Sequence, residues 1–182
     1  MDLSFNKLVE LTKDTFDATT YADVLMLAYN KFTDMSQVPL HTMTGLRILN
    51  VSHNAIETIA KSTFPKLYEL HTIDISYNNL SVIANAVFQP LFSLRYVDMS
   101  HNSLAEVKSA TFGTLPTLLH LDLSFNILKT IARGGMVKLT SLRYFNLRNN
   151  LLEKLFEIPI SLNHLDISNN WIKKLPTTYG HG

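Results

Sequence analysis

Leu118-Leu119-His120-Leu121-Asp122-Leu123-Ser124-Phe125-Asn126-Ile127-Leu128, continued by Lys129-Thr130-Ile131, sets apolar residues at 118, 121, 123, 128 and 131 around one asparagine. With Leu118 as slot 1, the frame is L-x-x-L-x-L-x-x-N-x-L-x-x-I and Asn126 holds slot 9. The frame recurs along the chain. Asparagine stands at Asn6, Asn30, Asn54, Asn78, Asn102, Asn126 and Asn150, each 24 residues after the last, and Asn170 follows after 20. Fifteen asparagines in 182 residues make six such steps by chance an event of roughly one in three million, so the period is structural. The apolar slots move with it, as Leu46, Leu49, Val51, Ile56 and Ile59 do around Asn54, and Leu94, Val97, Met99, Leu104 and Val107 around Asn102.

The x-L-x-L-x alternation at the start of each unit predicts a short strand with its leucines inward and the intervening residues outward. No unit of 24 residues buries its own leucines, so successive coils must stack and share one core. Stacking makes a parallel sheet with about 4.8 Å per coil. The asparagine sits where the chain leaves the strand. Its amide both donates and accepts, so a stacked row can satisfy backbone groups inside the coil. The second half of each unit is regular too: Phe16, Leu40, Phe64, Phe88, Phe112 and Met136 lie ten residues after their asparagines, and Leu67, Leu91, Leu115 and Leu139 three later. These fill the wider half of the coil. The unit around Asn150 is four residues shorter and carries Glu157-Ile158-Pro159-Ile160, which predicts a thinner outer side. The segment Thr33–Leu46, TDMSQVPLHTMTGL, fits the frame least well and predicts irregular backbone or looser packing.

Composition narrows the function. The net charge of +1 lacks the basic excess of a nucleic-acid binder. Charged residues are 17% of the chain, below the roughly 25% of ordinary soluble domains, consistent with long buried ladders. The absence of cysteine excludes disulfides, thiolate metal sites and cysteine nucleophiles in this stretch. No apolar window reaches membrane-spanning length, and MDLSFNKLVEL has no signal-peptide pattern. Residues 1–175 read as the repeat array and 176–182 as a non-repeat tail. Neither end shows a polar cap, so the expectation is an uncapped fragment of a longer array.

The phrases LDLSFNIL at 121–128, IDISYNNL at 73–80, VDMSHNSL at 97–104 and LDISNNWI at 165–172, with followers such as SATFGTL at 109–115, resemble the "typical" class of animal extracellular leucine-rich repeats. The likeness covers residues 2–175 and is greatest to chaoptin-type adhesion proteins; Toll-like receptor and Slit-like ectodomains are similar. It implies an α/β solenoid, a horseshoe with a parallel concave β-sheet and an irregular convex side. It also implies a cell-surface, glycosylated protein that binds a protein partner in cell adhesion, homophilic or heterophilic, or alternatively a ligand-binding ectodomain of the Toll-like kind. No enzyme activity and no cofactor are implied.

Candidate site residues lie in the variable slots. His71, Asp74 and Ser76 juxtapose hydrolase residue types, but on an open face, where a nucleophile, its base and an oxyanion hole have no cleft to share. Five histidines take outward slots, with no two in one slot of neighbouring coils; His53 and His101 are two coils apart, too far to share a zinc ion at about 2.0–2.1 Å. Slots 5 and 7, reading mostly Asp and Ser, are expected to face outward. Tyrosine and arginine anchor protein interfaces most often, which singles out Arg95, Tyr96, His120, Arg143 and Tyr144 in slots 2 and 3. Slot 10 turns apolar at Ile127, Leu151 and Trp171; with Leu119 and Phe125 these form a second expected contact patch. Two sequons, Asn79-Leu-Ser and Asn50-Val-Ser, are candidate glycosylation sites, Asn79 the better placed.

Overall fold

The computed structural model describes residues 1–175; the non-repeat tail expected at 176–182 lies outside the described residues. Eleven short strands follow in chain order: β1 (Val24–Met26), β2 (Ile48–Asn50), β3 (Thr58–Ile59), β4 (Thr72–Asp74), β5 (Val82–Ile83), β6 (Tyr96–Asp98), β7 (Glu106–Val107), β8 (His120–Asp122), β9 (Thr130–Ile131), β10 (Tyr144–Asn146) and β11 (His164–Asp166). Seven of them form one parallel sheet in the order β1-β2-β4-β6-β8-β10-β11. Its register steps by one repeat, Leu49 on Ile73 and Val97 on Leu121, and absorbs the four-residue deletion by setting Phe145 on Leu165. Two-stranded sheets, β3-β5 and β7-β9, line one flank.

Each sheet strand spans slots 3–5 only. In every sheet strand except β1, which ends on Met26, a slot 5 Asp or Asn side chain turns back to accept the N–H of slot 7, as Asp74 does from Ser76 and Asp122 from Ser124 at 2.9 and 2.8 Å. This local bond competes with extended backbone and ends the strand. Inter-coil bonding nevertheless continues past it: the slot 8 N–H of each coil donates to the slot 7 carbonyl of the next, for example Tyr77 to Ser100 and His101 to Ser124, both at 3.0 Å. The turn also draws slot 7 inward. Ser52, Ser76, Ser100 and Ser124 are buried rather than outward, which corrects the sequence expectation for that row.

The core is one continuous stack. Inward leucines of slots 1, 4, 6 and 11 meet Phe16, Phe64, Phe88, Phe112 and Met136 from the convex side, all buried. The convex rings are spaced widely, Phe64 to Phe88 at 5.5 Å and Phe88 to Phe112 at 6.5 Å. Slot 8 rings on the sheet side sit 4.0 to 4.4 Å apart. Coils wider at the back than at the front curve the stack, which is the horseshoe.

The asparagines join coil to coil. Asn102 donates through Nδ2 to Ile75 O of the preceding coil at 3.0 Å and to Met99 O and Ser100 O of its own, while its Oδ1 accepts Leu80 N–H at 2.8 Å. Asn30, Asn54, Asn78, Asn126 and Asn150 repeat the pattern. Asn170 does so across the shortened coil, to Leu147 O and from Leu152 N–H. Asn6 bonds only within its own coil, to Leu3 O and Ser4 O.

Looser packing of the Thr33–Leu46 segment is not found. The segment forms a 3-10 turn, Met35–Gln37, closed by a capping box: Asp34 accepts Ser36 N–H at 2.7 Å and Gln37 Oε1 accepts the N–H groups of Thr33 and Asp34. Thr58 Oγ1 donates to Asp34 at 3.1 Å and ties the turn to the next coil. Met35, Val38, Leu40 and Met43 are buried beneath it. Met35, Leu40 and Met43 hold the frame positions of Ile59, Phe64 and Leu67 one coil earlier, and Val38, which has no apolar counterpart there, is buried with them. One flaw remains, the Thr42 hydroxyl, buried without a partner among the described residues.

A candidate protein-binding face

Slots 2, 3 and 5 present the concave face, and its character changes along the stack. Slot 3 reads Val24, Ile48 and Thr72 in β1, β2 and β4, then Tyr96, His120, Tyr144 and His164 in β6, β8, β10 and β11. The second set forms a ladder of rings. Tyr96 tilts against His120 at 5.8 Å, His120 stacks on Tyr144 at 4.1 Å, and Tyr144 on His164 at 4.7 Å. Parallel strands in register place identical slots side by side, so planar side chains in one slot stack without further design. Arg95 and Arg143 are exposed at slot 2 beside the ladder, and Arg143 Nη1 reaches Asn163 Oδ1 at 3.5 Å.

The carboxylates of slot 5 run parallel to these rings. Asp74, Asp98 and Asp122 follow one another across β4, β6 and β8. Burial holds the Asp98 carboxyl above its ordinary range; its bonds from Ser100 pull the other way, and the flanking Asp74 and Asp122 add to the rise. Asn146 continues the row with an amide and donates to Asp122 at 3.0 Å. Burial lowers the His120 imidazole, opposed by Asp122 and Asp98, and raises the Tyr144 phenol, with Asp122 and Asp166 adding to it. Asp166 at the open end is held low by its bonds from Ser168. The face therefore pairs a ridge of half-exposed rings and guanidinium groups with a partly buried acidic row.

The ten candidate contact residues do not form one surface. Arg95, Tyr96, His120, Arg143 and Tyr144 assemble on the concave face; Leu151 and Trp171 line a flank groove of about 710 Å³, and Ile127 is exposed on the same flank. Phe125 ends a separate ladder of slot 8 rings, Phe5, Tyr29, His53, Tyr77, His101 and Phe125, stacked within 10° of parallel across six coils. Leu119 does not join the flank patch: it sits at slot 2, with β8 between it and Ile127. Each slot 8 residue adopts positive φ, between 52° and 57°. Tyrosine, histidine and phenylalanine tolerate that region poorly alone; here the stack and the slot 8 N–H bond hold them in it. The aromatic content was readable in the sequence, but the backbone conformation that aligns it was not. His164 belongs to the concave ladder and was missed as a contact candidate, because the shortened repeat moves it out of the 24-residue step.

The other motifs resolve locally. Ser76 Oγ donates to Asp74 at 2.6 Å and is buried, while His71 Nδ1 lies 2.8 Å from Thr72 Oγ1, so His71 and Ser76 do not meet as base and nucleophile. His53 and His101 pack face to face on Tyr77 from opposite sides. Among the described residues no helix is long and apolar enough to cross a membrane. Asn79 is exposed beside β5, whereas Asn50 is half-buried on the concave face with its Oδ1 accepting Ser52 N–H at 2.9 Å.

Comparison with known proteins agrees with this architecture. The family model described as Leucine rich repeat matches residues 1–56, 44–104 and 93–152, and a second Leucine Rich Repeat model matches 161–181. A search of curated proteins finds no match. Among solved structures, the leucine-rich repeat domain of APL1B is similar at 30% identity and TM-score 0.74, over 93% of this chain and 47% of that one. The LRIM1/APL1C complex is similar at 30% identity and TM-score 0.74, over 93% and 30%. The plant peptide hormone receptor RGFR1 in complex with RGF2 is similar at 28% identity and TM-score 0.74, over 93% and 28%. The chain thus spans less than half the length of each. With the repeat frame, the asparagine ladder and these matches in agreement, the chain belongs to the leucine-rich-repeat family.

Proposed function

We propose that the 1–175 array is a protein-binding module of a cell-surface protein, that it engages its partner through the concave face of β6, β8, β10 and β11, and that it acts in cell adhesion. The observation that carries the binding is the ladder Tyr96–His120–Tyr144–His164, flanked by Arg95 and Arg143 on one side and the Asp74–Asp98–Asp122 row on the other. Rings already stacked lose little rotamer freedom on binding, and Tyr and Arg supply most hot-spot energy in protein interfaces. A partner that fits sets carboxylates against the arginines and cationic groups along the acidic row. The adhesion reading rests on the resemblance to chaoptin-type repeats. It places the protein outside the cell and makes Asn79, exposed and away from the concave face, the glycan acceptor.

A second reading, a ligand-binding receptor ectodomain, is favoured by the similarity to a peptide hormone receptor solved with its peptide. Beads coated with the array separate the two. Adhesion requires beads to aggregate with one another or to adhere to cells, and the Tyr96→Ala/Tyr144→Ala variant to lose this. Beads that stay dispersed while the array captures a soluble secreted protein would overturn adhesion in favour of the receptor.

A further inference from the structure

Slots 12–14 of each coil run along the flank that carries the two small sheets. There β3 pairs with β5 and β7 with β9, and β9 is the outer strand of its pair. Residues 153–155 hold the same slots one coil further on, yet among the described residues they form no strand against β9. Just past them, in the shortened repeat, Phe156 turns inward and meets Phe145 edge-on at 5.8 Å. On its inner side β9 is held by Lys129 N–H on Ala105 O at 2.9 Å and Ala132 N–H on Val107 O at 2.8 Å. Backbone groups alternate in direction along a strand, so Ile131 turns its N–H and C=O to the free edge.

That edge opens onto the 710 Å³ groove, whose apolar wall is Ile131, Leu151, Leu155 and Trp171, the last 61% exposed. The rim is basic: Lys129 and Lys154 border it, Lys173 and Lys174 take the same slots of the next coil, and Glu153 is the single acid in the lining. The gap between β5 and β7 is the instructive contrast. It is also unpaired and has an apolar lining of Val82, Ile83 and Leu104, but it measures about 140 Å³ and holds its lysine, Lys108, in an ion pair with Glu106 at 3.3 Å. The β9 gap is larger and sets two lysines against one glutamate beside its apolar wall.

We propose that this flank groove binds an extended acidic peptide segment of a partner protein, which adds as a strand to the free edge of β9 and seats one apolar side chain against Leu151, Leu155 and Trp171. Main-chain bonds to an open edge supply affinity in such strand addition, and alternate side chains supply specificity. Alternation also suits the rim, since one set of side chains enters the groove while the other points toward the lysines. The site lies off the concave face and is independent of the binding reading given above.

The probe is an acetylated, amidated heptapeptide alternating glutamate and leucine, titrated onto the full chain. Trp171 is the only tryptophan, so its emission reports occupancy directly, and anisotropy of a labelled peptide gives the affinity. A saturable blue shift is expected, with binding at least tenfold weaker for a peptide N-methylated at alternate residues, for a lysine-leucine peptide, and for Trp171→Ala read by anisotropy. Tyr96→Ala/Tyr144→Ala binds the peptide as the parent does. Equal binding of the N-methylated peptide overturns strand addition using the unaltered chain, so no variant has to fold for the test to count. Unchanged binding by Trp171→Ala overturns the apolar seat. Self-association in sedimentation equilibrium that Trp171→Ala abolishes and the peptide does not compete for overturns the proposal, with a second copy of the chain as occupant.

Discussion

The coils around Asn30 and Asn54 and those around Asn126 and Asn150 share one backbone frame and differ almost entirely in what they show the solvent. In the first pair slot 3 is Val24 and Ile48, slot 10 is Lys31 and Ala55, and the departure from the repeat lies in the Met35–Gln37 turn, sealed by its capping box. In the second pair slot 3 is His120 and Tyr144, slot 10 is Ile127 and Leu151, and the departure is a four-residue shortening beside the outer edge of β9, which among the described residues carries no further strand. An irregularity inside a full-length coil is closed here by local capping bonds. Beside the shortened coil no such bonds among the described residues close the flank, and a groove lies there. The asparagine row is the same in both halves, so the largest effects come from removing what they share and the smaller ones from what separates them.

Asn102→Leu strips four backbone bonds from the middle of the stack and leaves Leu80 N–H buried and unpaired, while Ile75 O keeps Asn78 Nδ2 at 3.1 Å. At roughly 1–3 kcal/mol for the orphaned group, a loss of about 2–3 kcal/mol is expected. Asn6→Leu, whose bonds stay within an exposed coil, should cost under about 1 kcal/mol. Urea denaturation of both, followed by far-UV circular dichroism, measures the difference. Equal losses would mean that the row does not act between coils.

The next comparison is between faces. Tyr96→Ala/Tyr144→Ala should weaken partner capture by about 2 kcal/mol or more, the cost typical of truncating central aromatic anchors. Val24→Ala/Ile48→Ala should change it by less than about 0.5 kcal/mol, since the same slot there carries no ring or polar tip. Surface plasmon resonance on the partner recovered in the bead assay gives both numbers. A larger effect from the valine-isoleucine pair would move the interface to the first half. A third variant concerns the capped turn: Asp34→Ala removes the bond to Ser36 and the tie from Thr58 and should cost about 1 kcal/mol in urea titration. Thr42→Val removes the unpartnered hydroxyl and should raise stability by roughly 0.5–1 kcal/mol, a gain that the capped irregularity leaves open.

The core was legible because it is periodic. Every leucine that the 24-residue frame assigns to slots 4 and 6 between Leu25 and Leu147 is buried, and the convex phenylalanines lie where their ten-residue offset puts them. The site was legible in type, with Tyr96, His120 and Tyr144 in one ladder, but not in extent. His164 joins only when the deletion is placed, and Leu119 was assigned to a patch on the far side of β8. Slot 7 misled because alternation was extended past slot 5, where a side-chain bond such as Asp98 to Ser100 at 2.9 Å ends the strand. The flank groove depends on which ladder bonds fail to form, and a pattern of residue types records the bonds that can form rather than those that do not.

The smallest expected effect again sets the halves apart, because slot 3 titrates near neutral pH only in the second. Burial depresses His120 below its ordinary 6.5, against the pull of Asp122 and Asp98 and with the help of His164. The folded chain thus prefers the neutral imidazole, and the contribution is present above the unfolded value and lost as pH falls through the folded one. Between pH 7 and 5 the melting temperature should drop slightly, and amide protection should weaken at β8 and β10 before it does at β1 and β2. The carboxylates held low, such as Asp34 and Asp166, lose their contribution only at more acid pH. Asp98, held high, protonates on the way down and partly offsets the loss. His120→Phe keeps a ring against Tyr144 and removes the titrating group, so its melting temperature should be flatter across the same range; an unchanged slope would assign the acid sensitivity to another group.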